Sequence, residues 1–303
     1  MKPKIYIDGQ AGTTGLEIYQ RLSLREDIEI LEIDPGKRKD EQERKKLMNE
    51  ADLVFLCLPD DAAIKAVSLI ENEHTKVIDA STAHRTLDSW VYGMPELNEE
   101  QRQKIKTQRW IANPGCHATG FILGVYPLVQ NGAIKANQSI VCFSLTGYSG
   151  GGKKMIEQYE KNKTSDLMAP RIYGLNQMHK HLPEMKKICG LEGTPVFYPV
   201  VSDYYRGMAT TISIENHRKQ EIYDILNNWY KDSSLIHVSQ RNEGMISGNE
   251  MAKKDSVELI VYGNDTRVGV TVLFDNLGKG ACGAAIQNMN LMLGFNEWEG
   301  LNL

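Results

Sequence analysis

Paired cysteines are missing from this chain. Its five, Cys57, Cys116, Cys142, Cys189 and Cys282, stand at scattered spacings without a C-x-x-C, and Cys57 and Cys142 lie inside apolar runs. That excludes a disulfide framework and a paired zinc motif, and it implies a reducing compartment. Long hydrophobic runs are missing too. Nothing approaches the ~18 uninterrupted apolar residues of a membrane span, and the opening MKPKIYIDG enters a strand-like alternation with no apolar leader. A cytoplasmic protein without a membrane partner is expected. Neither sign of charge dominates: 35 Lys and Arg stand against 39 Asp and Glu, for a net charge of -4, with no long basic block. Nucleic acid is therefore not an expected partner. Internal repeats and low-complexity tracts are absent. What is present is 303 residues, 41% hydrophobic and 24% charged, a length and composition that predict two globular domains with substantial cores.

Periodicity supplies the organisation. KIYIDG, LEIYQRLSLRED, IEILEID, DEQERKKLMNEA, DLVFLCLP, DDAAIKAVSLIEN and KVIDAS read as β-α-β-α-β-α-β. LVFLCL is apolar at every position, as a strand covered on both faces must be, so the first part predicts an α/β, Rossmann-like doubly wound parallel sheet. After Cys116 the runs SIVCFSLTG, TPVFYPVVS, GMATTISIEN, SVELIVYG and VGVTVLFDN are longer strands with fewer helices between them. They predict an α+β domain with a largely antiparallel sheet. The boundaries fall at 1–115 and 116–279, with a final helix over 280–303 whose closely spaced small residues suit tight packing back on the first domain.

The first β-α turn, IDGQAGTTGLEIY, carries Gly9, Gly12, Thr13, Thr14 and Gly15. Glycines there permit a tight turn and a close approach of backbone N–H groups to a pyrophosphate at the helix start. The spacing is G-x-x-G-x-x-G, one residue wider than the usual dinucleotide fingerprint. Asp34 ends the second strand where an acid would take an adenosine ribose, yet Lys37, Arg38 and Lys39 follow. That run is either a solvated charge cluster or a 2'-phosphate site, and the second choice makes the first domain NADP-binding.

In IANPGCHATG a helix can begin only after Pro114 and Gly115, which puts Cys116 in its first turn. Free N–H groups and the positive end of the helix dipole favour a thiolate there, although a small buried core residue is the common use of cysteine. SLTGYSGGGKKM has the G-x-x-x-x-G-K order of a phosphate-binding loop at Gly147, Gly152 and Lys153, but Lys154 stands where Mg²⁺ needs a hydroxyl. With Gly150 and Gly151 it reads as anion-binding or cofactor-facing backbone. NQMHKHLPEMKKICG sets His179, His181 and Glu184 within six positions. They suit either a metal with Cys189 or an acid/base beside an orienting carboxylate. A nucleophilic cysteine elsewhere favours the second, and no metal is expected. If Pro183 and Glu184 open a helix, the carboxylate can fold back toward the preceding loop. On an extended stretch, residues 179 and 181 would point the same way.

ANPGC, YGMPEL, HKHLPE, YYRGM and above all DNLGKGACGAAIQNMNLMLG resemble the N-acetyl-gamma-glutamyl-phosphate reductase family of arginine biosynthesis, in its shorter, type 2 subfamily. The likeness runs from the glycine loop to the last helix. NPGC and the glycine loop alone would suggest only the wider group that includes aspartate-semialdehyde dehydrogenase. The longer form of the family reads Tyr-Pro-Thr after the cysteine, where this chain has His117, Ala118 and Thr119.

The resemblance implies reductive dephosphorylation of an acyl phosphate, with NADPH as reductant, inorganic phosphate as co-product and a thioester on Cys116. In that scheme the nicotinamide lies across the domain crevice, and Asn113 helps the helix start hold the oxyanion. His179 manages the protons with Glu184 as its orienter, and His181 is a second candidate. Ser81, Thr82 and Arg85 line the cleft near phosphate or substrate. Arg206 takes the substrate carboxylate through its planar fork. Asn276 and Lys279 lie beside the cofactor, and a homo-oligomer is expected. Two alternatives stay open. An aspartate-semialdehyde dehydrogenase-like enzyme conflicts with HKHLPE and DNLGKGACGAAIQNMN; a non-catalytic NADP-binding regulator would not need a thiol beside acid/base candidates.

Overall fold

The structure, a computed structural model, describes residues 2–303, which divide into two compact units. The first runs through Pro114 and takes in Ala281–Leu301. Its elements are β1 (Lys4–Asp8), α1 (Thr13–Leu22), β2 (Glu29–Leu31), α2 (Glu41–Glu50), β3 (Leu53–Leu56), α3 (Asp60–Ser68), β4 (Lys76–Asp79), β5 (Val91–Tyr92), α4 (Glu99–Thr107) and β6 (Trp110–Ala112). Every pairing is parallel, in the order β2-β1-β3-β4-β6-β5. Alternation along the strands sends side chains to two cores. Ile5, Ile7 and Phe55 meet Ile18 and Leu22 of α1 and Ile105 of α4 on one face. Tyr6, Val54 and Leu56 meet Leu47 and Met48 of α2 and Ala66 of α3 on the other. The sheet is thus doubly wound, as its all-apolar β3 requires. The run IEILEID contributes less strand than its alternation predicts: β2 is a three-residue edge, and Asp34 already caps the next turn by accepting the Gly36 N–H at 2.7 Å.

The second unit is Gly115–Gly280 with Asn302–Leu303. It holds α5 (Cys116–Gln130), β7 (Val141–Gly147), α6 (Gly152–Lys161), β8 (Arg171–Ile172), α7 (Leu182–Cys189), β9 (Val196–Ser202), β10 (Met208–Glu215), α8 (Lys219–Tyr230), β11 (Ile236–Gln240), β12 (Val257–Gly263) and β13 (Arg267–Phe274). The sheet order is β11-β12-β13-β10-β7-β9-β8, with β7–β9 and β11–β12 parallel and the other pairs antiparallel. The strand runs singled out in the sequence become β7, β9, β10, β12 and β13; α8 and β11 fall outside them.

Helix α5 lies against β10 and β13. It can sit so close because a Cβ on Gly120 would fall 2.4 Å from Thr210 Oγ1, and one on Gly124 would fall 2.7 Å from Ile212 Cδ1. Pro127 lies inside this helix and has no N–H for the Leu123 carbonyl. The Tyr230 hydroxyl of α8 replaces it, donating to that carbonyl at 2.7 Å.

After Gly280 the chain rejoins the first unit through a π-helical turn, Gly278–Cys282, and α9 (Gly283–Leu293). The helix is shorter than the expected 280–303, because Gly294, at φ 76°, ends it in the left-handed conformation. It is buried from Gly283 to Met292, and its polar side chains are bonded: Asn288 donates to Gly93 O at 2.9 Å and to Asn113 Oδ1 at 3.1 Å, and Asn290 donates to Glu297 O and Glu299 O. Among the described residues no helix is long and apolar enough to cross a membrane.

Tyr230→Phe should leave the buried Leu123 carbonyl without its donor and lower unfolding stability by about 1–3 kcal/mol. Urea titration of the two proteins measures this, and an unchanged midpoint would remove Tyr230 as the partner of the proline-broken helix.

Candidate active site

Cys116 is the first residue of α5, behind a Gly115 cap with extended backbone, and no side chain caps the helix start. The N–H groups of the first turn of a helix are donors suited to an anion. Gly280 leaves room for the nucleophile, since a Cβ there would stand 3.0 Å from Cys116 Cβ. Three of the other thiols are held protonated by burial. Burial, helped by Asp79 and Asp8, pushes Cys57 up to about 12, and burial pushes Cys142 and Cys189 further up.

Three imidazoles gather next to this helix start. His117, His179 and His181 have ring centroids 4.8–5.8 Å apart, with the Phe197 ring edge-on to two of them at 5.2 Å. The HKH segment is a turn, so the side-by-side placement that an extended stretch would give residues 179 and 181 does not apply. Leu182 N–H donates to His179 O, His181 N–H donates to His179 Nδ1 at 3.2 Å, and His181 sits at the N-cap of α7. With Nδ1 accepting, neutral His179 carries its proton on Nε2. Burial, with Lys180 nearby, lowers His179 to about 4; burial, with His179 and Lys180, lowers His117 to about 3. Both rings are neutral at neutral pH.

Glu184 lies in the first turn of α7, as the helix expectation required, and is buried. Its Oε2 accepts the Gly115 N–H at 3.2 Å, so the carboxylate reaches the cap of the nucleophile's helix. Among the described residues no group of three His, Cys, Asp or Glu converges as a metal site.

His117, noticed in the sequence only as a departure from Tyr-Pro-Thr, is bonded at both nitrogens. Nδ1 is 2.7 Å from Ser144 Oγ and Nε2 is 2.6 Å from Tyr173 Oη; Ser144 Oγ continues to Thr210 Oγ1 at 2.8 Å. Tyr173 carries no sequence signal of its own. Burial and then the charge of Cys116 raise its phenol well above the usual range.

In the first unit, Gly9 adopts φ 84°, and a Cβ on it would lie 2.3 Å from Cys57 O; a Cβ on Gly15 would lie 2.5 Å from Gly9 O. The turn packs against the end of β3 beside β1, where the strand order reverses and open α/β sheets bind ligands. Helix α1 starts at Thr13 and Thr14 behind Gly12 with no side-chain cap, so its N–H groups fit a pyrophosphate. Lys37, Arg38 and Lys39 are exposed, Lys37 lying 3.4 Å from Glu43. Asp34, engaged by Gly36, and this exposed cationic turn fit a 2'-phosphate.

The remaining candidates divide between the units. Ser81 Oγ donates to Asp79 Oδ2 at 2.6 Å, and buried Arg85 donates to Asn113 O and Ala80 O, tying the ends of β4 and β6. Asn113, expected near the oxyanion, donates its amide to Ala281 O at 3.0 Å and accepts from Asn288, a link to α9. In the second unit, Arg206 Nε donates to Asp275 Oδ2 at 2.5 Å. Asn276 accepts the Gly207 N–H at 2.8 Å and donates to Ser149 Oγ at 2.9 Å, bracing the turn that carries exposed Gly150 and Gly151; Lys279 is buried.

Two family descriptions match this architecture: semialdehyde dehydrogenase, NAD binding domain, over residues 4–105, and semialdehyde dehydrogenase, dimerisation domain, over residues 116–276. An N-acetyl-gamma-glutamyl-phosphate reductase 2 from a Nostoc species is 43% identical over 99% of both chains. The N-acetyl-gamma-glutamyl-phosphate reductase of Sinorhizobium medicae is 42% identical, covering 97% of this chain and 99% of its own. The chain belongs to the N-acetyl-gamma-glutamyl-phosphate reductase family. In fold it also resembles aspartate semialdehyde dehydrogenase II from Vibrio cholerae, at a TM-score of 0.74 and 17% identity over 97% of this chain and 99% of that one. A Candida albicans aspartate semialdehyde dehydrogenase gives 0.72 and 16% over 97% and 99%.

For this member of the reductase family the neutral histidines set a pH dependence. Unfolded histidine titrates near 6.5, above the folded values of about 3 and 4, so the unfolded chain takes up protons first as pH falls. The stability that neutral His117 and His179 contribute is full above about 6.5 and is lost as pH falls from there toward 4. His117→Gln should be less stable at pH 7 yet show a shallower fall between pH 6.5 and 4.5 than the parent. Parallel urea midpoints across that range would mean that His117 is not held neutral.

Proposed function

We propose that the chain catalyses the NADPH-dependent reductive dephosphorylation of N-acetyl-gamma-glutamyl phosphate to N-acetylglutamate semialdehyde. The observation that carries this is a thiol on the first residue of a buried helix, beside three clustered imidazoles, in a chain of this family. Cys116 attacks the acyl carbon, the C–O bond to phosphate breaks, and inorganic phosphate leaves with the electron pair of that bond. A thioester remains on the sulfur. The first-turn N–H groups of α5 hold the negative oxygen as the tetrahedral species forms. When bound, NADPH supplies the hydride that takes the thioester to the aldehyde level. The Gly9–Gly15 turn would hold its pyrophosphate, and Lys37 with Arg38 its 2'-phosphate. His179, with its proton on Nε2, is the acid/base, and Arg206 takes the substrate carboxylate end-on while Asp275 fixes its Nε edge.

A homo-oligomer fits the second sheet. Val141, Phe143 and Tyr198 share one face of β7 and β9 and stay 44%, 41% and 39% exposed. An apolar face of this kind suits a second copy.

Turnover is tested in reverse, as NADP reduction with N-acetylglutamate semialdehyde plus phosphate, run beside aspartate semialdehyde. The acetylated substrate should be preferred. Cys116→Ala should abolish the reaction with cofactor affinity kept within a few-fold, and His179→Asn should lower turnover by about 10²-fold or more. Residual turnover of a tenth in the alanine variant would exclude the covalent route. Replacing Lys37 and Arg38 together with Ser should raise KM for NADPH far more than for NADH, and the NADPH term should be salt-sensitive. Equal changes for both cofactors would exclude the 2'-phosphate assignment.

A further inference from the structure

Asp275 is fully buried at the end of β13, and both of its carboxylate oxygens are in use. Oδ1 accepts the Leu277 and Gly278 N–H groups at 2.8 and 3.1 Å; Oδ2 accepts from Arg206 Nε and from the Lys253 N–H. Its carbonyl accepts the Gly280 N–H at 2.9 Å, and Gly280 is the residue that lies against Cys116 Cβ. One residue therefore connects the guanidinium to the backbone flanking the thiol.

The bond to Lys253 is held from behind. Among the described residues Lys253 is one of three non-glycines with positive φ, at 70°, a strained conformation that persists only where its surroundings enforce it. Asn302 supplies part of that enforcement. Its side chain donates to Lys253 O at 2.5 Å, and its backbone exchanges two hydrogen bonds with Asp255, at 2.6 and 2.8 Å. Gly278 must be glycine for the two loops to close, since a Cβ would meet Lys254 O at 2.4 Å.

We propose that Asp275 is a positioning residue that sets the separation between the Arg206 guanidinium and the Cys116 thiol, and so selects the chain length of the acyl substrate. This rests on the function given above, with Arg206 on the substrate carboxylate. A substrate tethered at its carboxylate and attacked at its acyl carbon must span a fixed gap. A chain one methylene shorter loses either the ion pair or the attack geometry, a difference of about 10–200-fold. Removing the Asp275 charge frees the guanidinium to follow the shorter chain, while the thiol and its helix stay in place.

The experiment compares parent, Asp275→Asn and Asn302→Ala with N-acetylglutamate semialdehyde and N-acetylaspartate semialdehyde, plus NADP and phosphate. Asp275→Asn should raise KM for the longer substrate by about tenfold or more and shrink the preference over the shorter one by a similar factor. KM for NADP and the rate of Cys116 alkylation by iodoacetamide should stay within about twofold. Asn302→Ala, one contact further out, should move KM and selectivity in the same direction by a smaller factor, and it carries the test if Asp275→Asn does not fold. Unchanged selectivity, or equal losses in KM, NADP affinity and alkylation, overturns the proposal. Protection of Cys116 from iodoacetamide by N-acetylglutamate gives the same comparison without turnover. A parent inactive on both semialdehydes sinks the function, whereas an active parent whose variants keep its selectivity and protection sinks only the positioning role.

Discussion

A nucleophile on the first residue of a buried helix constrains everything packed around that helix. The helix start is formed by Gly115, which has no side chain to cap it and whose N–H goes to Glu184. The flank must be thin, so Gly280 lies where any Cβ would press on the cysteine. The helix must not shift, so Gly120 and Gly124 let it sink onto β10 and β13 at distances no larger residue allows. Even the break at Pro127 is absorbed, because Tyr230 bonds the carbonyl that the proline cannot. The thiol is placed where bare glycine backbone of the helix and its flank closes on neighbouring side chains.

Holding three imidazoles close together has a cost that hydroxyls and backbone offset. A buried imidazolium would need a counter-charge; a neutral ring needs only a donor for one nitrogen and an acceptor for the other. His117 finds both in Ser144 and Tyr173, and His179 finds an N–H from His181. Desolvation then keeps His117 and His179 uncharged. Each of these bonds narrows the arrangements open to the cluster.

Much of this was legible in the sequence where local chemistry dictates backbone. An all-apolar LVFLCL could only be a doubly covered strand, glycines at 9, 12 and 15 could only be a tight turn, and Pro114-Gly115 could only precede a helix. Spacing left the choice between His179 and His181 open, because the geometry of their turn comes from an imidazole accepting a backbone N–H, which spacing does not encode. Tyr173 and Asp275 were missed for a related reason. Their partners are 56 and 69 residues away in the chain, His117 and Arg206, so no local pattern marks them. Asn113 carried a site motif but spends its amide on Ala281 and Asn288, a long-range bond that spacing could not foresee.

His117 joins two hydroxyls through both of its ring nitrogens. Thr210, Ser144, His117 and Tyr173 form one chain of hydrogen bonds, and each link can run in either direction. With His117 Nδ1–H donating to Ser144, Nε2 accepts the Tyr173 proton; with Ser144 donating to Nδ1, Nε2–H donates to Tyr173 and the phenol proton turns elsewhere. The Cys116 charge acts on the same phenol. In both directions His117 stays a neutral ring. The chain can thus change direction without any ring becoming charged, as its buried setting demands.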